Sequence, residues 1–455
     1  MEKYDVIVIG SGSGMVVVEE ALGHGLKVAL VDKGPTGGTC LNTGCIPSKM
    51  LIFAADRIVE SQEAKKLGVT IEVKNIDFKF ILERMRKNIG GYHDRMLKGL
   101  SNVPGLTFYD AEARFVKDYT FEVSGKTITA NKICLASGSR VSIPPIKGLN
   151  DIDYLTNESL LALKEKPESI IIIGGGYIAV EYSHFFAAMG TKVTILEMAD
   201  RLILNEEPAI SELLKKQLSR RLSVHTSTMV EEIKKKSANC IVVAKDTNTG
   251  ARKEFVAQKV LVAVGRQSNA DLLQVANTGV ETDARGYIKV DEYMETTKKN
   301  IYAVGDADGQ QMFTHVANRE AAVAANNLMH DVKEKMKYSA APHAVYSHPQ
   351  IASVGLTEES ARKGHSIMVG IAKYSEIAKG EAMMEEDSFA KAIVDKETDK
   401  ILGFHIIGPN APELIQEVVD TMEAGSTINN IISGMHIHPA LSELIQQTIG
   451  NLAEV

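Results

Sequence analysis

Two stretches carry one pattern: YDVIVIGSGSGMVVVEEALGHGLKVALVD (4–32) and SIIIIGGGYIAVEYSHFFAAMGTKVTILE (169–197). Each opens with a short β-rich apolar run and turns at closely spaced glycines. A helical stretch follows, and then a second apolar run closed by an acid. The order strand, tight turn, helix, strand is a βαβ unit. Gly10 and Gly174 permit the turn, and Gly12 and Gly176 let backbone come close to a pyrophosphate, with Gly14 following in the first copy. The helix behind aims its first amides at that anion. Asp32 and Glu197 follow 22 and 23 residues after the first glycine, where a ribose needs an acceptor. A single glycine turn could serve any α/β sheet; two with matching acids predict two dinucleotide sites. Met15 stands where a third glycine is usual, and Ala179 stands there in the second copy. That glycine serves helix–strand packing, so Met15 bears on packing more than on phosphate contact.

The rest of the chain fits an ordinary globular protein. Its 455 residues suggest about three domains. Apolar residues make up 44% and charged residues 24%, which argues against disorder and fibrous repeats. The net charge of −7 disfavours a nucleic-acid binder. No apolar stretch approaches the roughly 18 residues of a membrane span. MEKYDVIVIG holds too short an apolar run for a signal peptide. Four cysteines cannot scaffold a chain this long. The expectation is a cytoplasmic protein in which any disulfide is functional. VLVAVGRQSN (260–269) and NIYAVGDA (300–307) read as buried strands ending in turns, a helical stretch is expected around 45–100, and 340–455 alternates strands with helices.

GGTCLNTGCIPSK (37–49) sets Cys40 and Cys45 five apart, while Cys134 and Cys240 stand alone. A zinc site would need closer spacing and a second pair, so no metal is expected. Two unrelated thiols or a redox disulfide remain. In an ideal helix five residues give a rise of about 7.5 Å and a turn of about 140°. That is too far for a disulfide, so the segment must distort between the cysteines, and Gly44 offers the freedom. A helix starting after Pro47 would help hold a thiolate.

These residues resemble the active-site motif of the pyridine nucleotide-disulfide oxidoreductases. The similarity continues in family order through ASGSR (136–140), GGGYIAVE (174–181), AVGR (263–266), IYAVGD (301–306) and HPALSE (438–443). It implies a glutathione-reductase-like α/β fold, with two Rossmann-like dinucleotide-binding domains and a C-terminal α+β dimerisation domain. Residues 1–149 and 268–336 would bind FAD, 150–267 would bind NAD, and 337–455 would form the dimer interface. The implied FAD contacts are Gly10, Gly12, Gly14, Asp32, Lys33, Gly38, Thr39, Lys49, Ala113, Ser137, Gly138, Asp306, Thr314 and His315. The implied NAD contacts are Gly174, Gly176, Tyr177, Ile178, Ala179, Glu197, Val230 and Gly265. Cys45 would face the flavin and Cys40 would meet substrate. Lys49 would pair with Glu181 near the flavin's reactive nitrogen. His438 would act as base, oriented by Glu443, on the cysteines of the other subunit of a homodimer. Read without the family, Asp306 is equally a turn residue and Tyr177 equally a surface aromatic at a helix start, while the lesser reading of Lys49 is a solvated helix lysine. His436 is read as a neighbour without chemistry.

Within the family, Glu197 is followed by Met198, Ala199 and Asp200, with no basic residue before Arg201. An extra ribose phosphate needs basic groups, so NAD is favoured over NADP. That counts against glutathione and mycothione reductases. Mercuric reductases typically carry a cysteine pair near the C-terminus, and TIGNLAEV has none. ILGFHIIGPNAPELIQE (401–417) and His315 resemble dihydrolipoamide dehydrogenase, although GSGSGM departs from that enzyme's usual glycine motif. The expected activity is FAD-dependent oxidation of a dihydrolipoyl group, carried by a protein or a small dithiol, with NAD as acceptor. The alternatives are an NAD(P)H-dependent reductase of a small disulfide or mercuric ion, and a flavoprotein scaffold without turnover.

Overall fold

The computed structural model describes residues 1–454, which fall into two compact units. The first unit comprises Met1–Ser48, Glu83–Ser142 and Gly265–Lys337. Its sheet centres on β1 (Glu2–Ile9), followed by α1 (Gly14–Gly23) and β2 (Val28–Asp32). β1 pairs in parallel with β2 on one side and with Lys126–Leu135 on the other. Its VIVI run is buried in full, as a central parallel strand covered on both faces requires. Ile301–Ala303 adds a further parallel pairing to Lys126–Leu135, and the hairpin Ala113–Lys117 and Thr120–Val123 extends the sheet antiparallel. Ile7, Val31, Phe115, Phe121, Ile133 and Ile301 form the apolar centre of this unit.

The second unit comprises 49–82, 143–264 and 338 onward. Its parallel sheet runs Ser223–His225, Lys192–Leu196, Ser169–Ile173, Lys259–Val262. The helix Tyr177–Ala188 joins Ser169–Ile173 to Lys192–Leu196, so the second glycine turn also forms a βαβ unit. A three-stranded antiparallel sheet, Thr228–Lys236, Asn239–Asp246 and Arg252–Ala257, follows. The C-terminal part is a six-stranded antiparallel sheet against which Ala411–Glu423 and Glu443–Gly450 bury Ile415, Val418, Leu444 and Ile445. The fold is therefore α/β, with two Rossmann-like sheets and an α+β C-terminal part.

Two local expectations are corrected. The helical stretch near 45–100 is two helices, α3 (Cys45–Glu63) and Phe78–Leu100. A 3₁₀ turn at Ala64–Leu67 and non-helical chain separate them. Gly68 at φ 80° ends that turn. The second correction concerns where α3 begins: it starts at Cys45 itself, not after Pro47. Among the described residues, no helix is long and apolar enough to cross a membrane.

Candidate active site

The cysteine segment is built around a break between two helices. Cys40 lies inside α2 (Gly38–Asn42), and Thr43 leaves helical geometry at φ −140°, ψ 10°. Cys45 then opens α3. Gly44 acts differently from expectation, because it has no positive φ. A Cβ there would stand 3.0 Å from the Thr39 carbonyl oxygen and 3.4 Å from Cys40 Cα. Gly44 is small so that the second helix can approach the first, and the break itself is made at Thr43. Asn42 holds the loop from inside: its buried Nδ2 lies 2.9–3.0 Å from the carbonyl oxygens of Pro35, Thr36 and Gly38.

Cys40 and Cys45 face each other across the break, with a side-chain hydrogen bond between them. The hydrogen bond to Cys45, reinforced by burial, pushes the Cys40 thiol well above its ordinary value, against an opposing contact with Thr314. Cys45 is exposed, and its sulfur lies 3.4 Å from Thr314 Oγ1. The two sulfurs are therefore close enough to interact across the break. Cys134 and Cys240 are buried and free, and burial raises both thiols.

Around the first glycine turn, Gly10 sits at φ 101°, and a Cβ there would fall 2.1 Å from the Ala136 carbonyl. A Cβ on Gly12 would meet only Gly38 Cα, at 3.6 Å. Asp32 Oδ2 accepts from Ser11 N at 2.7 Å and Ser11 Oγ at 2.5 Å, and Oδ1 accepts from Gly34 N at 3.1 Å. The acid therefore holds the turn as well as standing where a ribose would come. Lys33 is exposed and paired with Glu112 at 3.2 Å; Thr39 is exposed, and Ala113 begins its strand. Ser137 Oγ is buried without a partner, and Gly138 lies at φ 65°. An orphaned hydroxyl beside an uncrowded glycine turn fits a dinucleotide.

Asp306 Oδ2 takes Ser139 Oγ at 2.5 Å and Arg266 Nε at 3.2 Å, and Arg266 also donates to Ser139 Oγ at 2.6 Å. Asp308, two residues on, is buried with Oδ2 unpartnered; burial first, then Glu320 and Asp306, push it up to about 8. Thr314 opens the helix Thr314–Met329, and His315 is exposed with its ring stacked on Phe313.

In the second unit, Gly174 sits at φ 109°, where a Cβ would fall 2.3 Å from the Ala263 carbonyl oxygen, while the Cβ position of Gly176 is open. Tyr177 begins the helix, Ile178 is half-buried and Ala179 is buried. Tyr177 lies 5.9 Å from the His343 ring, and burial raises its phenol. Glu197 Oε1 accepts from Ala199 N at 2.6 Å, and Arg201, the nearest following cation, donates to Leu204 O at 3.2 Å. Val230 is half-buried on its strand. Gly265, at φ 124°, falls in the first unit. The open position at Gly176 leaves room for a pyrophosphate to approach the backbone.

Lys49 donates to both oxygens of the buried Glu181 at 2.8 Å, and its ammonium lies 4.5 Å from the centre of the Tyr346 ring. Tyr346 N donates to Glu181 Oε1 at 3.0 Å. His438 Nδ1 meets Glu443 Oε1 at 2.8 Å, and Glu443 Oε2 accepts from Ala440 N at 3.0 Å. Those two bonds hold the Glu443 carboxyl below its ordinary value. His438 is exposed, and His436 pairs with Glu417 at 2.9 Å. Sequence reading did not assign Asn42, Arg266 or Tyr346. The first two lie inside the quoted motifs; Tyr346 carries no local signal.

A family model described as pyridine nucleotide-disulphide oxidoreductase matches residues 4–321, and that family's dimerisation domain matches residues 341–449. The chain belongs to the class I pyridine nucleotide-disulfide oxidoreductases. Members are FAD-dependent enzymes that use NAD(P)H. This oxidoreductase is 36% identical over 455 residues to dihydrolipoyl dehydrogenase of Geobacillus stearothermophilus, covering 97% of this chain and 95% of that one. It is 32% identical to mycothione reductase of Mycobacterium tuberculosis, covering 99% of each. It is 30% identical to mercuric reductase of Staphylococcus aureus, covering 97% of this chain and 81% of that one. A solved Cu(II) complex of the HOCl-induced flavoprotein disulfide reductase RclA from Escherichia coli superposes with a TM-score of 0.87 at 28% identity, covering 99% of each chain. The relatives carry several substrates at comparable identity, so they define the class of chemistry and not the substrate.

Proposed function

We propose that this oxidoreductase oxidises dihydrolipoyl groups, free or carried by a lipoyl-bearing protein, through Cys40 and Cys45, with FAD as cofactor and NAD as acceptor. The observation that carries the reading is the hydrogen-bonded cysteine pair set across a helix break. In the oxidised enzyme a substrate thiolate attacks Cys40 sulfur; the Cys40–Cys45 bond breaks and Cys45 leaves as thiolate. The second substrate thiol then attacks the substrate sulfur of the mixed disulfide, closes the substrate disulfide and releases Cys40. Two electrons move from substrate to the pair, and the two substrate protons must leave. His438 is the acceptor: Glu443 at Nδ1 fixes the tautomer that leaves Nε2 basic. The dimerisation-domain match supports a homodimer in which His438 serves the partner's cysteines. Bound FAD supplies the two-electron chemistry that returns the pair to the disulfide. Asp32, Ser137 and Asp306 would hold it, with Lys49 oriented by Glu181.

The acid at Glu197, with Arg201 turned to a carbonyl, supports NAD: a carboxylate repels a 2′-phosphate. Steady-state assays should show NADH used better than NADPH, and Glu197→Arg should shift the preference toward NADPH. Equal use of both by the unaltered enzyme would sink the nucleotide assignment. Substrate is tested on FAD-loaded protein with lipoamide, glutathione disulfide, mycothiol disulfide, Hg²⁺ and Cu²⁺. Lipoamide should dominate in kcat/KM. The second reading, a reductase of a small disulfide or metal ion, draws on mycothione and mercuric reductases matching almost the whole chain. It wins if one of those acceptors exceeds lipoamide. An FAD-loaded protein inert to all acceptors would leave only the scaffold role.

A further inference from the structure

Glu20 and His24 stand four apart on α1, so their side chains share a face. His24 caps the C-terminal end of that helix, its N–H bonded to Glu20 O at 3.2 Å. His330 caps the helix Thr314–Met329 in the same way, its N–H bonded to Asn326 O at 2.8 Å. At the opposite ends of these helices Ser13 Oγ donates to Asn318 Oδ1 at 2.8 Å, so the two run parallel and finish side by side. Glu20 Oε1 lies 3.3 Å from His24 Nε2 and 3.7 Å from His330 Nε2, and the two imidazole rings are 5.1 Å apart at 71°. All three ligand atoms fall within 4.8 Å of one another.

We propose that Glu20, His24 and His330 bind one divalent ion of the zinc type, distinct from the redox centre. Tetrahedral zinc with nitrogen and oxygen ligands at about 2.0–2.1 Å places its ligands about 3.4 Å apart, which the two Glu20 separations bracket. Two imidazoles and a carboxylate form a borderline-soft donor set that suits Zn²⁺ and leaves a fourth position for water. The electrostatics agree, because two helices present their negative C-terminal ends at one place. All three side chains are exposed, so an ion can reach them. The Lys333 ammonium is held by the His330 carbonyl at 3.1 Å. A bound ion would clip together the C-terminal ends of the helix behind the first glycine turn and the helix that begins at Thr314. The proposal rests on neither the substrate nor the nucleotide assignment.

The test uses FAD-loaded protein in the oxidised state, so that Cys40 and Cys45 do not compete for metal. Calorimetric titration with ZnCl₂ should show one ion per chain, Co²⁺ should give visible d–d absorption, and the thermal midpoint should rise with added Zn²⁺. His24→Ala, His330→Ala and Glu20→Gln should each weaken binding by roughly tenfold or more and abolish the thermal response. Their flavin spectra and metal-free disulfide turnover should match the parent enzyme, which shows that they fold. Absence of stoichiometric binding, or binding unaffected by His24→Ala and His330→Ala in folded variants, overturns the site.

Discussion

Cys40 and Cys45 differ in setting as well as in order. Cys40 is half-buried inside α2 with its thiol pushed up, while Cys45 is exposed at the first position of α3, where helix amides favour an anion. Cys40→Ser should leave a Cys45 thiolate and give the FAD-loaded enzyme a long-wavelength absorption band without reductant, whereas Cys45→Ser should give none. Both should lose disulfide turnover. His438→Gln should keep the flavin spectrum and lose on the order of 10² to 10⁴ in turnover, as for a missing general base. A band in Cys45→Ser alone would reverse the two thiol roles.

Asp308 makes a separate residue-scale prediction. Its folded value near 8 lies above the ordinary 3.8, because burial and the neighbouring Glu320 penalise the anion. A raised carboxyl favours the native state below its unfolded value, and that advantage is lost as pH rises toward about 8. Asp308→Asn removes the charge. Its thermal midpoint relative to the parent should therefore climb between pH 4 and 8 and stay level above; a difference independent of pH would refute the assignment.

At the scale of elements, α1 shows how a departure from a motif is absorbed. Met15 occupies the usual third-glycine position but is only half-buried, while Gly14 makes the close approach to the sheet. A Cβ on Gly14 would fall 2.9 Å from Val8 Cγ1 and 3.0 Å from Ala136 Cβ. Gly14→Ala should therefore destabilise by about 1–3 kcal/mol through overpacking and weaken FAD binding. Met15→Gly should cost about 1 kcal/mol of helix stability and leave FAD affinity unchanged. Denaturant midpoints and flavin-fluorescence titration check both. The turn glycines were legible because a positive φ constrains residue type locally. The packing glycine was not, since nothing within a few residues of Gly14 says which side chain it meets.

At the scale of the whole molecule, the proposed mechanism divides one active site between two chains. Co-expressed Cys45→Ser and His438→Gln subunits should give hybrid dimers with one intact site, and about a quarter of parental turnover for random pairing. Each variant alone should be inactive. No recovery in a mixture shown to contain hybrids would place His438 in service of its own chain's cysteines. The exposed Ile432, Met435 and Ile437 beside His438 are apolar surface in the dimerisation domain, as a second copy would require.

What the amino-acid sequence determined by itself was local: two βαβ units, their turn glycines and terminal acids, and a cysteine pair that could not share one regular helix. Periodicity, φ preference and helix rise act over a few residues and can be read directly. The Lys49–Glu181 and His438–Glu443 pairs were legible only through family resemblance. Tertiary structure alone decided that Asp32 is tied to Ser11, that Arg266 joins Ser139 and Asp306, that Tyr346 braces Glu181, and that His330 comes beside Glu20. Most of these partners lie far apart in the chain, and their meeting depends on how strands and helices pack, which no local preference encodes.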